Sequence, residues 1–251
     1  MSKVLDGKVA IITGGSRGLG AVLAATLADQ GADIAITYAA SADKAESVAE
    51  VVRAKGVRAL AIRCDQADTS AAQPMVEQVV AELGKLDILI NNAAIAVQGQ
   101  LVDDPTLDSA AFDRQWMVNV MGTVAITRAA AQKISDGGRI VFIGSGLGTR
   151  AIVPGIADYA GTKAAIAGYA RGVQRDLGPR NITVNVVQPG IMPTDMTGEV
   201  AENFPQAVID MHPIRRIATI EEVAGAVSYL VSPAASYTAG AVIDVSGGVL
   251  V

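Results

Sequence analysis

The 251 residues carry a formal net charge of −5 and contain no run of Lys or Arg, which argues against a phosphate-backbone surface, so no nucleic-acid partner is expected. Half of them (51%) are hydrophobic but only 4% are aromatic, which excludes a disordered chain and calls for a core of Ala, Val, Ile and Leu. One cysteine, Cys64, excludes an intrachain disulfide, and one histidine, His212, argues against a His-based metal site, so a reducing cytoplasm and no metal are expected.

Short β-branched runs alternate with longer Ala-rich segments along the chain. Val9–Thr13, Asp33–Tyr38, Ala59–Arg63, Asp87–Asn91, Arg139–Ile143, Thr183–Gln188 and Val242–Val245 read as strands. Between them, Ala21–Gln30, Ala42–Lys55, Ala71–Leu83, Phe112–Lys133, Ala157–Asp176 and Ile220–Leu230 read as helices. This is the βαβ alternation of a parallel sheet with right-handed crossovers. Thr219-Ile-Glu-Glu222 is a capping box, and Gly31 follows the first helix where a left-handed cap is wanted.

The length suits one undivided α/β domain over residues 1–251, and no repeat or linker divides it. The N-terminus lacks a signal-peptide pattern, and the longest uncharged stretch, Val223 to Ile243, is broken at Ser232-Pro233, so no membrane span is expected. The segment at about 189–216 is too long and irregular for a simple connection and is expected to carry function as a substrate-binding loop.

The first strand runs into Thr13-Gly14-Gly15-Ser16-Arg17-Gly18-Leu19-Gly20 and then a helix. A glycine-rich turn lets backbone N–H groups approach a pyrophosphate at a helix N-terminus, so the turn is read as a dinucleotide cradle. The glycines fall as G-x-x-x-G-x-G, and downstream come Asn91-Asn92-Ala93-Ala94, Asn119, Ser145, Tyr159-Ala-Gly-Thr-Lys163 and Pro189-Gly190. In this order and spacing the motifs resemble the classical short-chain dehydrogenase/reductases over essentially the whole chain. The resemblance implies a single Rossmann-type, doubly wound, parallel seven-stranded sheet with helices on both faces, strand order 3-2-1-4-5-6-7. It also implies an active site above the strand C-termini and association as a homotetramer or homodimer. The helices Phe112–Lys133 and Ala157–Asp176 and the tail Gly247–Val251 are expected to bury surface between subunits.

A catalytic tetrad of Asn119, Ser145, Tyr159 and Lys163 follows from the same likeness. Tyr159 and Lys163 are four apart, so a helix puts both on one face, where an ammonium is expected to lower the phenol pKa and make it a usable acid–base group. Ser145 would hydrogen-bond the substrate oxygen, Lys163 would also contact the nicotinamide ribose, and Asn119 would hold a water linking Lys163 to solvent. Implied cofactor contacts are Gly14, Ser16, Arg17, Gly18, Leu19, Gly20, Tyr38, Ser41, Asp65, Asn92, Ala93, Pro189, Gly190 and Thr194, besides Tyr159 and Lys163. The second strand ends Ile36-Thr37-Tyr38-Ala39-Ala40-Ser41 without the acid that would repel a 2′-phosphate, while Arg17 and Ser41 are suited to meet one, so NADPH is expected over NADH. Ala94 stands where the family commonly has Gly, at a cost of about 1 kcal/mol if that backbone needs positive φ.

Leu147, Val153, Met192 and Met196 are expected to touch substrate, in a mostly apolar set that also includes Ile152, Phe204 and Met211. They favour reduction of a medium-sized, mostly apolar ketone. The alternative enzyme is a 3-oxoacyl-carrier-protein reductase, weakened because Asp136 lies where those enzymes tend to place a basic residue, although Arg175 is nearby. A nucleotide-binding regulator without catalysis is the alternative of another class, expected to have lost Tyr159, Lys163 or Ser145.

Overall fold

The β-branched runs form one sheet because each is apolar on both faces and needs helices above and below it. In the computed structural model, which describes residues 3–194 and 206–250, the strands are β1 (Val9–Ile12), β2 (Asp33–Tyr38), β3 (Ala59–Arg63), β4 (Leu86–Asn91), β5 (Ile134–Ile143), β6 (Thr183–Pro189) and β7 (Val242–Val245). They lie in the order β3-β2-β1-β4-β5-β6-β7, every neighbouring pair parallel, as expected.

Alternation along β1 divides the core. Ala10 and Ile12 join the layer under α1 (Gly18–Asp29), α2 (Ala42–Arg53) and α8 (Ile220–Val231), whereas Val9 and Ile11 face α3 (Ala72–Leu83), α5 (Thr123–Lys133) and α6 (Ala157–Leu177). Gly31 has φ +101 just past α1, and Thr219 and Glu222 exchange both capping-box hydrogen bonds at the start of α8. A short α7 (Gln206–Asp210) lies in the long segment after β6.

Two elements differ from expectation. The single helix expected over Phe112–Lys133 is α4 (Ser109–Trp116), a widened π turn over Met117–Gly122, and α5. β5 begins at Ile134 rather than Arg139, because Leu86 pairs with Ile134 across an irregularity before the regular ladder resumes at Ile88 and Arg139. β1 pairs with both β2 and β4, so the chain reverses direction across the sheet at that point, and the crevice beyond its strand ends is where open α/β sheets bind ligands.

Candidate active site

Side-chain latches shape the turn between β1 and α1. Thr13 Oγ1 accepts from the Asn92 and Ala93 N–H groups at 3.0 and 2.9 Å, and Asn92 Nδ2 donates to the Thr13 and Gly14 carbonyls at 2.8 and 3.1 Å. These bonds tie the end of β4 to the glycine turn. Gly14 has φ +65 and Gly18 φ +53, which favour glycine, while a Cβ on Gly20 would stand 2.3 Å from the Gly14 carbonyl oxygen. No side chain caps α1 and no acid lies in its first turn. N–H groups at a helix start whose own first turn carries no acid suit a phosphate, so the described residues fit a dinucleotide.

At the adenosine end, Tyr38 is half-buried at the end of β2, and Ser41 begins α2 without its side chain capping the helix. Arg17 is exposed in extended backbone before α1. Asp65 accepts from Ala67 N–H at 3.0 Å and is ion-paired with Arg114 at 3.0 Å; that backbone bond, then the guanidinium, hold its carboxyl below the usual range. Gly190 N–H donates to Val245 at 2.9 Å, placing the Pro189-Gly190 turn against β7, and the Thr194 side chain approaches Gly18. The residues other than Tyr159 and Lys163 expected from sequence to meet the cofactor thus lie at or just beyond the C-terminal ends of β1, β2, β3, β4 and β6 of one parallel sheet. Ala94 carries no conformational penalty, since Asn181 is the only non-glycine with positive φ among the described residues.

Ser145 follows β5 in extended backbone, and its Oγ accepts from Leu147 N–H at 3.2 Å. The Tyr159 phenol, from the first turns of α6, lies close enough to Ser145 for that hydroxyl to favour the phenolate. One helical turn on, the Lys163 ammonium lies 5.7 Å from the Tyr159 ring centroid and donates to the Ile143 carbonyl at 3.0 Å. Burial pushes Lys163 down to about 8 and Tyr159 up to about 12, the nearby Ser145 hydroxyl opposing the second shift.

The expected lowering of the phenol pKa by Lys163 is thus not found in the protein alone. Both groups have lost water, and the ammonium is directed at a backbone carbonyl rather than at the phenol oxygen.

Asn119 is fully buried inside the π turn. Its Oδ1 accepts from Ile95 N–H at 2.9 Å, while Nδ2 donates to the Ile95 carbonyl at 2.9 Å and to Thr162 Oγ1 at 3.2 Å. Thr162 Oγ1 donates in turn to the Tyr159 carbonyl at 2.7 Å. The asparagine consequently joins the segment after β4 to the turn of α6 that runs from Tyr159 to Lys163.

The expected substrate residues divide. Leu147 is half-buried beside Ser145, Val153 is exposed, and Met192 packs against the core layer under α8. Met196 and Phe204 lie outside the described residues. Two features escaped the sequence reading. Thr13 was read as the strand residue that opens the glycine turn, with no latching role, and Leu250 packs onto Gly146, next to Ser145. The tail was expected to serve subunit contact, yet it also holds intrachain partners: Gly247 accepts from Ile214 N–H at 3.0 Å and Gly248 abuts Pro213.

Comparison with known proteins gives a consistent likeness. The family described as enoyl-(acyl carrier protein) reductase matches residues 14–250. Versicolorin reductase 1 of Aspergillus parasiticus is 37% identical over 256 residues, covering 97% of each chain. A 3-oxoacyl-[acyl-carrier-protein] reductase of Staphylococcus aureus is 35% identical over 243 residues, covering 96% of this chain and 97% of the relative. A short-chain dehydrogenase from Burkholderia cenocepacia, solved in complex with NADP, superposes with a TM-score of 0.92 at 42% identity, covering 99% of this chain and all of that one.

Proposed function

The chain belongs to the short-chain dehydrogenase/reductase family of oxidoreductases, and from that premise we propose that it is an NADPH-dependent carbonyl reductase acting on a mostly apolar ketone, or on the corresponding secondary alcohol in reverse. The observation that carries this reading is the gathering of Ser145, buried Tyr159 and, one helical turn on, buried Lys163, whose ammonium lies 5.7 Å from the Tyr159 ring centroid. We read residues 1–251 as one catalytic unit.

Ser145 and Tyr159 share one point at which a carbonyl oxygen can receive two hydrogen bonds. Their hydroxyls oppose the negative charge that develops on that oxygen, and Tyr159 then donates its proton to the alkoxide. A phenol held at about 12 is fully protonated at neutral pH and close in acidity to an alkoxide's needs, so it serves better as donor than as base. When bound, NADPH would supply the hydride. Lys163 is suited to the nicotinamide ribose, and Asn119 to holding the water that returns the proton from solvent. The cofactor choice rests on a β2 end without an acid, on Arg17 beside the phosphate cradle, and on the NADP complex of the Burkholderia relative.

The assay is NADPH oxidation at 340 nm across a panel of apolar ketones and an acyl thioester. Turnover of ketones supports the proposal; turnover of the thioester alone favours the carrier-protein reductase. That second reading draws on the Staphylococcus relative and on an ion pair at 2.8 Å in which Arg180 offsets Asp136 at the start of β5. No turnover with any carbonyl leaves the non-catalytic regulator.

We also propose a cytoplasmic homotetramer or homodimer. Among the described residues no helix is long and apolar enough to cross a membrane. Trp116, Met117 and Met121 are exposed along α4 and the π turn, where the subunit contact was expected. Light scattering at micromolar protein gives a multiple of the chain mass if the contact forms.

A further inference from the structure

Gln66, just beyond β3, is 6% exposed, and neither the motifs nor the proposed chemistry assigns it a role. Its side-chain Nε2 meets three acceptors from two separate segments: the Ala93 carbonyl at 3.1 Å, the Val118 carbonyl at 2.7 Å and Thr123 Oγ1 at 3.1 Å. Ala93 lies between the latched end of β4 and Ile95, the residue whose backbone Asn119 clasps. Val118 immediately precedes Asn119, and Thr123 is the first residue of α5.

We propose that Gln66 is a positioning residue for catalysis: its amide wedges open the helix at the π turn and thereby sets Asn119 against Ile95 and Thr162. A π turn widens the helix by one residue and disturbs the regular ladder of backbone bonds, so a carbonyl inside it needs another donor. Gln66 provides that donor to Val118. The fit leaves no slack, since a Cβ on Gly122 would stand 1.8 Å from the Gln66 carbonyl oxygen and 2.5 Å from its Cγ. A glycine at the end of the wide turn is therefore what admits Gln66 so close. Two of the acceptors are carbonyls, which cannot donate, so the amide orientation is set by its surroundings. The Oε1 is buried without a partner among the described residues, which is an unfavourable arrangement for an amide that served packing alone.

The inference deepens the reading of Asn119 as part of a proton path, and its test separates the two. In Gln66→Leu, which keeps the bulk and deletes the donor, amide exchange of the Asn119 side chain followed by NMR should accelerate at least about tenfold while the midpoint of thermal unfolding stays well above the assay temperature. This measurement needs no substrate, so it stands even if the proposed activity does not. With an active ketone, kcat should fall about tenfold with KM and NADPH Kd within about threefold, because the substrate and cofactor contacts are untouched. In an Asn119→Ala background the same substitution should cost little more, since both changes act through one element. Should Gln66→Leu not fold, Gln66→Met carries the same measurements. Unchanged exchange at Asn119, or a loss of kcat as large with Ala at 119 as with Asn, overturns the proposal.

Discussion

Lys163 gives a prediction in which stability and chemistry pull apart. Burial lowers its pKa from 10.5 to about 8, a fall that corresponds to about 3 kcal/mol disfavouring the ammonium in the folded chain. The folded state binds its proton less tightly than the unfolded state, so this penalty is present below pH 8 and disappears as pH rises through 10.5. Between pH 7 and pH 9 the cofactor-free protein should therefore gain about 1 kcal/mol from this group. Lys163→Met removes the penalty, a stabilising change of about 3 kcal/mol at pH 7, and with it the gain on raising pH. It also strands the Ile143 carbonyl, which accepts from Lys163 at 3.0 Å, at a cost of about 1–3 kcal/mol. The two effects nearly cancel at pH 7, which makes the pH dependence the better readout. Urea unfolding of both proteins at pH 7 and pH 9 should show the wild-type midpoint rising by about 0.4 M relative to the variant, for an m of about 2.5 kcal/mol/M. Cys64, whose pKa burial raises from 9.0, and Tyr159 work in the opposite sense, since a raised folded pKa contributes stability that is lost as pH climbs. Both are common to the two proteins, so the difference between them removes their effect. Equal pH dependence in wild type and Lys163→Met would refute the burial argument.

Tyr159→Phe should keep the fold and NADPH affinity while lowering kcat by about 10²–10⁴, the usual worth of general acid–base help; more than about a tenth of wild-type kcat would count against the assignment. Arg17→Ala should weaken NADPH by about 1.5–3 kcal/mol and NADH far less, and Tyr38→Asp should move kcat/KM toward NADH. A wild-type preference for NADH would remove the basis for both. Gly20→Ala should abolish dinucleotide binding by fluorescence titration without unfolding the chain, because the added Cβ would stand 2.3 Å from the Gly14 oxygen and 2.7 Å from Asn92 Nδ2. Undiminished binding would show that the cradle tolerates being reshaped.

Most of the scaffold was legible in the residues alone because its signals are local. The β-branched runs, the Thr219–Glu222 capping box and the positive φ of Gly31 past α1 each depend on chemistry within a few positions, and they appear where expected apart from the early start of β5. The pairing of Tyr159 with Lys163 is likewise a matter of helical spacing. What the sequence could not determine depends on burial and on partners far along the chain. The helix over Phe112–Lys133 reads as continuous because nothing local marks the π turn; it coincides with Gln66, which reaches Val118 from a different element. The pKa of Tyr159 runs opposite to the local expectation because an ammonium helps a phenolate only where it faces that oxygen, and in the folded chain Lys163 is directed at Ile143 while both side chains are stripped of water. Leu250 meets Gly146 only once β7 is laid beside β6, since the sheet decides which distant segments share the crevice above its strand ends.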